Sequence, residues 1–124
     1  MSVVSEAIAA ARAATRAVRG DPVTYTRGAY SFRIARAVQA ETNWDAREAR
    51  PGVKYGEKSV DWLIDVDCLV DTNGAALRPQ RGDTITTADG TVYRVMPFGP
   101  DNLLWEWHDK NARSTIRVYT KDRT

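Results

Sequence analysis

The 124-residue chain holds one cysteine, one histidine, two methionines and two phenylalanines. With Cys68 alone, an internal disulfide framework and a cysteine-rich zinc site are excluded. With His108 alone, a Cys–His pair or a Ser–His–Asp triad would have to use that one imidazole, and no nucleophile is partnered to it by spacing. A glycine-rich phosphate loop and a metal-type histidine spacing are both missing, so no enzyme and no cofactor is expected. No run approaches the ~20 apolar residues of a membrane-spanning helix, so no membrane partner is expected. Charge of one sign is scarce as well: a net +2 and a pI of about 8.8 do not by themselves mark a nucleic-acid binder.

What is present is an ordinary globular composition, 43% hydrophobic and 27% charged, in enough chain for one domain or one domain plus an arm. Alanine dominates residues 2–19 and predicts a helix there. Val4, Ile8 and Ala11 share one face with Thr15 and Val18, and Arg12, Arg16 and Arg19 form a neighbouring stripe. Gly20, Asp21 and Pro22 stop it. An arginine-rich, acid-poor start of this kind also fits an organellar leader, a helix that docks on a partner, or one that covers its own domain. The face is thin, and a thin face buries little area at about 25 cal/mol per Å², so it gains most from a neighbouring subunit. Val4, Ile8, Ala11, Arg12 and Arg16 are the candidate docking residues.

From Pro22 the period becomes two. Val23, Tyr25 and Arg27, then Tyr30, Phe32 and Ile34, predict a hairpin around Gly28. Residues 39–59 lose all periodicity and predict a long loop with Trp44 and Tyr55 as aromatic anchors. Its candidate interface or channel-facing residues are Trp44, Arg47, Arg50, Lys54, Tyr55 and Lys58. Strands are expected at about 60–66, 84–87, 91–97, 104–108 and 114–121, the second and third joined by Asp89 and Gly90. Asp65, Asp67, Asp71 and Asn73 are spaced somewhat like a calcium loop but lack its terminal bidentate acid, which leaves a polar turn. Arg81, Gly82 and Asp83 spell an adhesion triplet but read as a turn, and His108 beside Asp109 reads as a hydrogen-bonded pair at a strand end. Arg113, Arg117, Lys121 and Arg123 make a basic stripe, by default a solvated face. The fold class expected is mainly β, a small barrel or sandwich, with an N-terminal α-helix and one long loop. Residues 1–20 form the helix, and 21–124 a single barrel-like domain with the loop at about 39–59.

Four stretches come in a recognisable order: LRPQRGD at 77–83, DGTVYRV at 89–95, WEWHD at 105–109 and TIRVYTK at 115–121. With DWLI at 61–64 upstream, they resemble the head-tail joining (head completion, stopper) proteins of tailed phages and prophages. The residues that carry the resemblance are Pro79, Gln80, Arg81, Gly82, Asp83, Tyr93, Trp105, Trp107, Arg117 and Lys121, all turn and strand residues. The resemblance covers residues 61–123 well and the N-terminal helix and first hairpin loosely, and the long loop adds nothing to it. It implies a virion structural protein, assembled in the host cytoplasm, that forms a six-fold or twelve-fold ring in the neck. Its neighbours would be a portal or adaptor protein on the head side and a tail terminator or tail tube protein on the tail side. Non-specific contact with packaged DNA through the basic residues of the loop would follow the phosphate backbone. Two alternatives stay open. One is a tail terminator or minor tail protein ring. The other is a small barrel that stacks single-stranded nucleic acid on Trp44, Tyr55, Trp105 and Trp107 with Arg117.

Overall fold

Threonine, tyrosine, valine and isoleucine alternate from Asp21 onward, and the backbone takes them into seven strands among the described residues. A computed structural model describes residues 20–47 and 57–122; the helix expected over 2–19 lies outside them. The strands are β1 (Asp21–Arg27), β2 (Tyr30–Asn43), β3 (Lys58–Asp65), β4 (Thr84–Thr87), β5 (Val92–Val95), β6 (Trp105–Trp107) and β7 (Thr115–Asp122), with one helical turn, α1 (Trp44–Arg47), after β2. Every pairing is antiparallel, in the order β3-β2-β1-β4-β5-β7-β6. Six paired positions from Val60↔Thr120 to Asp65↔Thr115 join β3 to β7 and close six strands into a barrel, which settles barrel against sandwich. The seventh strand, β6, lies along residues 116–118 of β7, while β5 takes residues 120–122.

The predicted hairpin forms with Gly28 and Ala29 as its turn. The long loop, by contrast, is shorter than expected, because residues 39–43 are strand and pair with Lys58–Trp62 of β3. The cause is a bulge. Asp21 pairs with Ala37 but Val23 with Ile34, so three steps of β2 face two of β1. The buried side of β2 switches from Ile34 to Ala37, and past that point small and polar residues occupy both faces.

The barrel interior holds Val23, Tyr25, Ile34, Trp62, Ile64, Ile85, Val95, Ile116 and Val118, capped by Leu69 and Leu77 from the β3–β4 connection. That connection opens with a 3-10 turn, Val66–Cys68, and doubles back where Leu77 N–H donates to Leu69 C=O at 2.9 Å. A second, smaller core of Trp44, Phe98 and Tyr119 lies on the barrel's outer face, flanked by Met96 and Leu103. Inward and outward residues of β7 alternate as expected, with Ile116, Val118 and Thr120 inside, yet outward Tyr119 is fully buried as well.

Candidate functional site

Three polar clusters fasten the barrel. The first explains the PQRGD turn. Asp83 is 3% exposed and accepts from Tyr25 Oη at 2.5 Å, from Arg27 Nη2 at 2.7 Å and Nε at 3.0 Å, and from Gln80 N–H at 2.9 Å. Arg27 Nη2 also donates to Arg78 C=O at 2.6 Å. Burial pushes the Asp83 carboxyl up, but the Arg27, Tyr25 and Gln80 hydrogen bonds outweigh it and hold the group below the usual carboxylate range. Burial first, and Asp83 second, push the Tyr25 hydroxyl well above the ordinary phenol value. The adhesion-like triplet is therefore a turn whose aspartate is locked inside.

The second cluster sits outside β3 and β7. Asp61 is fully buried although it points away from the barrel axis. Arg117 Nε donates to its Oδ2 at 2.6 Å, Ser59 Oγ to its Oδ1 at 2.5 Å, and Thr42 adds a second hydroxyl. Trp44 Nε1 in turn donates to Ser59 Oγ at 3.0 Å. The third cluster adjoins it. Arg47 donates to Tyr119 Oη at 2.7 Å and pairs with Glu106 at 2.7 Å, and Tyr119 Oη donates to Glu106 Oε1 at 2.5 Å. The Arg47 guanidinium also lies 4.8 Å from the Trp44 ring centroid. Burial opposes ionisation of Glu106, yet Arg47 and Tyr119 hold its carboxyl below the usual range, and burial then Glu106 raise the Tyr119 phenol.

The structure thus brings together Trp44, Arg47, Tyr119 and Arg117, though not as a binding platform. Trp44 is a core residue, fully buried, stacked on Phe98 at 6.1 Å and edge-on to Tyr119 at 4.8 Å, rather than a loop anchor facing a partner. Of the residues expected to form a nucleic-acid platform, Trp44 is inside a core and the Arg117 guanidinium is on Asp61, so neither is presented to a base. Trp105 and Trp107 do share a face, half-buried at 5.5 Å, with the Arg78 guanidinium 5.4–5.6 Å from their centroids. Lys58 opens β3 as an exposed residue, Arg81 and Lys121 are exposed, and Tyr93 is half-buried. Val4, Ile8, Ala11, Arg12, Arg16, Arg50, Lys54 and Tyr55 lie outside the described residues.

Sequence reasoning missed Tyr25, Arg27, Asp61 and Glu106. Tyr25 lies in the inward alternation of β1, and only its bond to Asp83 went unread; Arg27, Asp61 and Glu106 sit at outward or end-of-strand positions where alternation predicts solvent, and only the tertiary partner reveals what they hold. It also misassigned Asp109, whose carboxylate takes Ser114 N–H at 3.1 Å and Thr115 N–H at 2.9 Å rather than His108. Asp71 does form the polar turn, accepting from Asn73 N–H at 2.8 Å and Ala75 N–H at 3.0 Å. Among the described residues no three His, Cys, Asp or Glu side chains are grouped so as to hold a metal ion.

A closed barrel whose polar side chains fasten its own surface is, in class, a structural β-barrel module. The chain belongs to the phage head-tail joining protein family, whose model matches residues 1–124, its whole length. This is a structural family and not an enzymatic one, it implies contacts with head and tail components, and it puts the chain at the virion's head-tail junction. Comparison with curated proteins and with solved structures returned no match.

Proposed function

We propose that the chain is the head-closure (stopper) subunit, forming a six-fold or twelve-fold ring between the portal or its adaptor and the tail terminator or tail tube. The observation that carries this reading, beside the family itself, is the anchored root of the β2–β3 hairpin. Trp44 and Arg47 fix the chain to the barrel wall just where it leaves the last paired position, Asn43↔Lys58. A buried indole and an ion pair thus fix the place on the barrel wall where the chain departs, which supports a contact made from that place. A head-to-tail ring uses two different patches per subunit. Val4, Ile8, Ala11, Arg12 and Arg16 are proposed for one, and the hairpin region with Arg50, Lys54, Tyr55 and Lys58 for the other or for the channel. Arg47 leaves the channel-facing set, because its charge is engaged by Glu106.

The test is genetic. Deleting the gene and examining the induced lysate by electron microscopy should give separate tails beside tailless heads, filled or leaked. Complete infectious particles would overturn a neck role. Normal heads carrying misbuilt or overlong tails would move the protein to the tail side and favour the terminator reading.

A further inference from the structure

One end of the barrel carries a cavity that the joining role does not explain. Its volume is about 300 Å³, and Asp21, Gln39, Trp62, Asp89 and Tyr93 line it with Pro22, Thr87 and Ala88. Trp62 forms the floor. It is 2% exposed, its indole Nε1 donates to Thr120 Oγ1 at 3.2 Å, and half-buried Tyr93 stands edge-on to it at 5.3 Å. The rim is acidic. Asp21 is exposed and has no partner among the described residues, and Asp89 is held in place by Thr91 N–H at 3.0 Å. Among the described residues no cation lines the cavity. An aromatic wall beside carboxylates is the chemistry that receives a guanidinium, whose plane stacks on a ring while its edge forks to an oxyanion.

The described residues begin at Gly20, the neighbour of Asp21 on the cavity's lining. The nineteen residues before it carry Arg12, Arg16 and Arg19 against one acid, Glu6. We propose that the cavity is an arginine socket and that its occupant in the free subunit is the arginine-bearing segment 12–19 of the same chain. Reach allows it: four residues lie between Arg16 and Asp21, and the five steps span up to ~17 Å at ~3.4 Å each. Tethering favours it over any untethered basic partner, since a short linker sets an effective concentration in the ~mM range. The socket does not depend on the ring reading, because it concerns the subunit before assembly.

The test places a photo-crosslinking residue in the full-length chain by Tyr93→p-benzoylphenylalanine. Isotopically heavy and light chains are mixed, and the products mapped by mass spectrometry. Cross-links should fall in residues 12–19, within one isotope, and drop roughly tenfold in the Arg12→Glu/Arg16→Glu/Arg19→Glu variant. Cross-links to Arg123 or the C-terminal end, cross-links only between chains, or a yield unchanged by the triple reversal would each overturn the proposal. Should the probe disturb the barrel, the indole N–H resonance of Trp62 in the otherwise unmodified chain serves instead. It should move in the triple variant while those of Trp105 and Trp107 stay, and an unmoved Trp62 signal overturns the socket.

Discussion

Gly99 offers the sharpest check on how the outer core is built. It opens the turn between Phe98 and Leu103, with φ of +73°, and a Cβ added there would stand 2.7 Å from Cε3 and Cζ3 of Trp44. Gly99→Ala therefore carries two costs. Left-handed backbone costs a residue with Cβ about 1–2 kcal/mol, and an extra carbon in a packed core about 1–3 kcal/mol. Reduced entropy of the unfolded chain returns about 0.5–1 kcal/mol. The net expectation is a loss of about 1–4.5 kcal/mol. The ring has no easy escape, since Ser59 holds its N–H, Phe98 and Tyr119 flank it, and Arg47 covers it. Gly74→Ala is the control: φ is +77° there, but nothing lies within 4 Å of the new Cβ, so only the backbone cost applies. Urea unfolding monitored by circular dichroism and tryptophan fluorescence should separate the two variants by about 1–3 kcal/mol. Equal losses would refute the claim that Trp44 is pinned against this turn.

Asp83→Ala removes the acceptor of Tyr25 and Arg27, and should cost about 3 kcal/mol by urea unfolding, whereas exposed Arg81→Ala should stay within about 0.5 kcal/mol. Arg117→Ala strands fully buried Asp61 and should cost about 3 kcal/mol, with a smaller loss in Arg117→Ala/Asp61→Asn, read by the same titration. Because the Asp83 and Glu106 carboxyls sit below their unfolded values, the unfolded chain binds more protons in acid. Stability is therefore full above about pH 4 and falls as pH drops through the folded values, a fall that Asp83→Asn should flatten in acid titrations. At the other extreme Tyr25 and Tyr119 stay protonated in the fold and ionise when unfolded. Stability should fall above about pH 10, and two of the five phenols should show phenolate absorbance only together with unfolding.

Strands and turns were legible in the sequence wherever one face is apolar and the other is not. Val60, Trp62 and Ile64 announce β3, Ile116, Val118 and Thr120 announce β7, and Asp89 with Gly90 marks its hairpin. Past the bulge at Ala35 and Arg36 that signal fails, because Gln39 and Glu41 take the inward parity at an open barrel end, where water keeps them. Closure was not legible either. Both edges of β7 are used, by β3 on one side and by β5 and β6 in succession on the other, and no local pattern encodes such sharing.

The outer core shows why the candidate residues sorted as they did. Sequence reading treats a tryptophan in a charged, aperiodic stretch as exposed, and for Trp44 this was wrong because its neighbours are residues 55 and 75 positions away, Gly99 and Tyr119. A six-strand barrel has room inside for one layer of side chains, which Tyr25, Trp62 and the aliphatics already fill. Further aromatic area has to be buried outside, and outside it needs a lid. The helical turn α1 is that lid, with Arg47 as its clasp on Glu106 and Tyr119. A barrel closed inside and clasped outside is held in one shape, which suits a structural protein at the head-tail junction. The charges with no ion-pair partner among the described residues, Asp21, Arg33, Arg94 and Lys121 among them, are where recognition has material to work with.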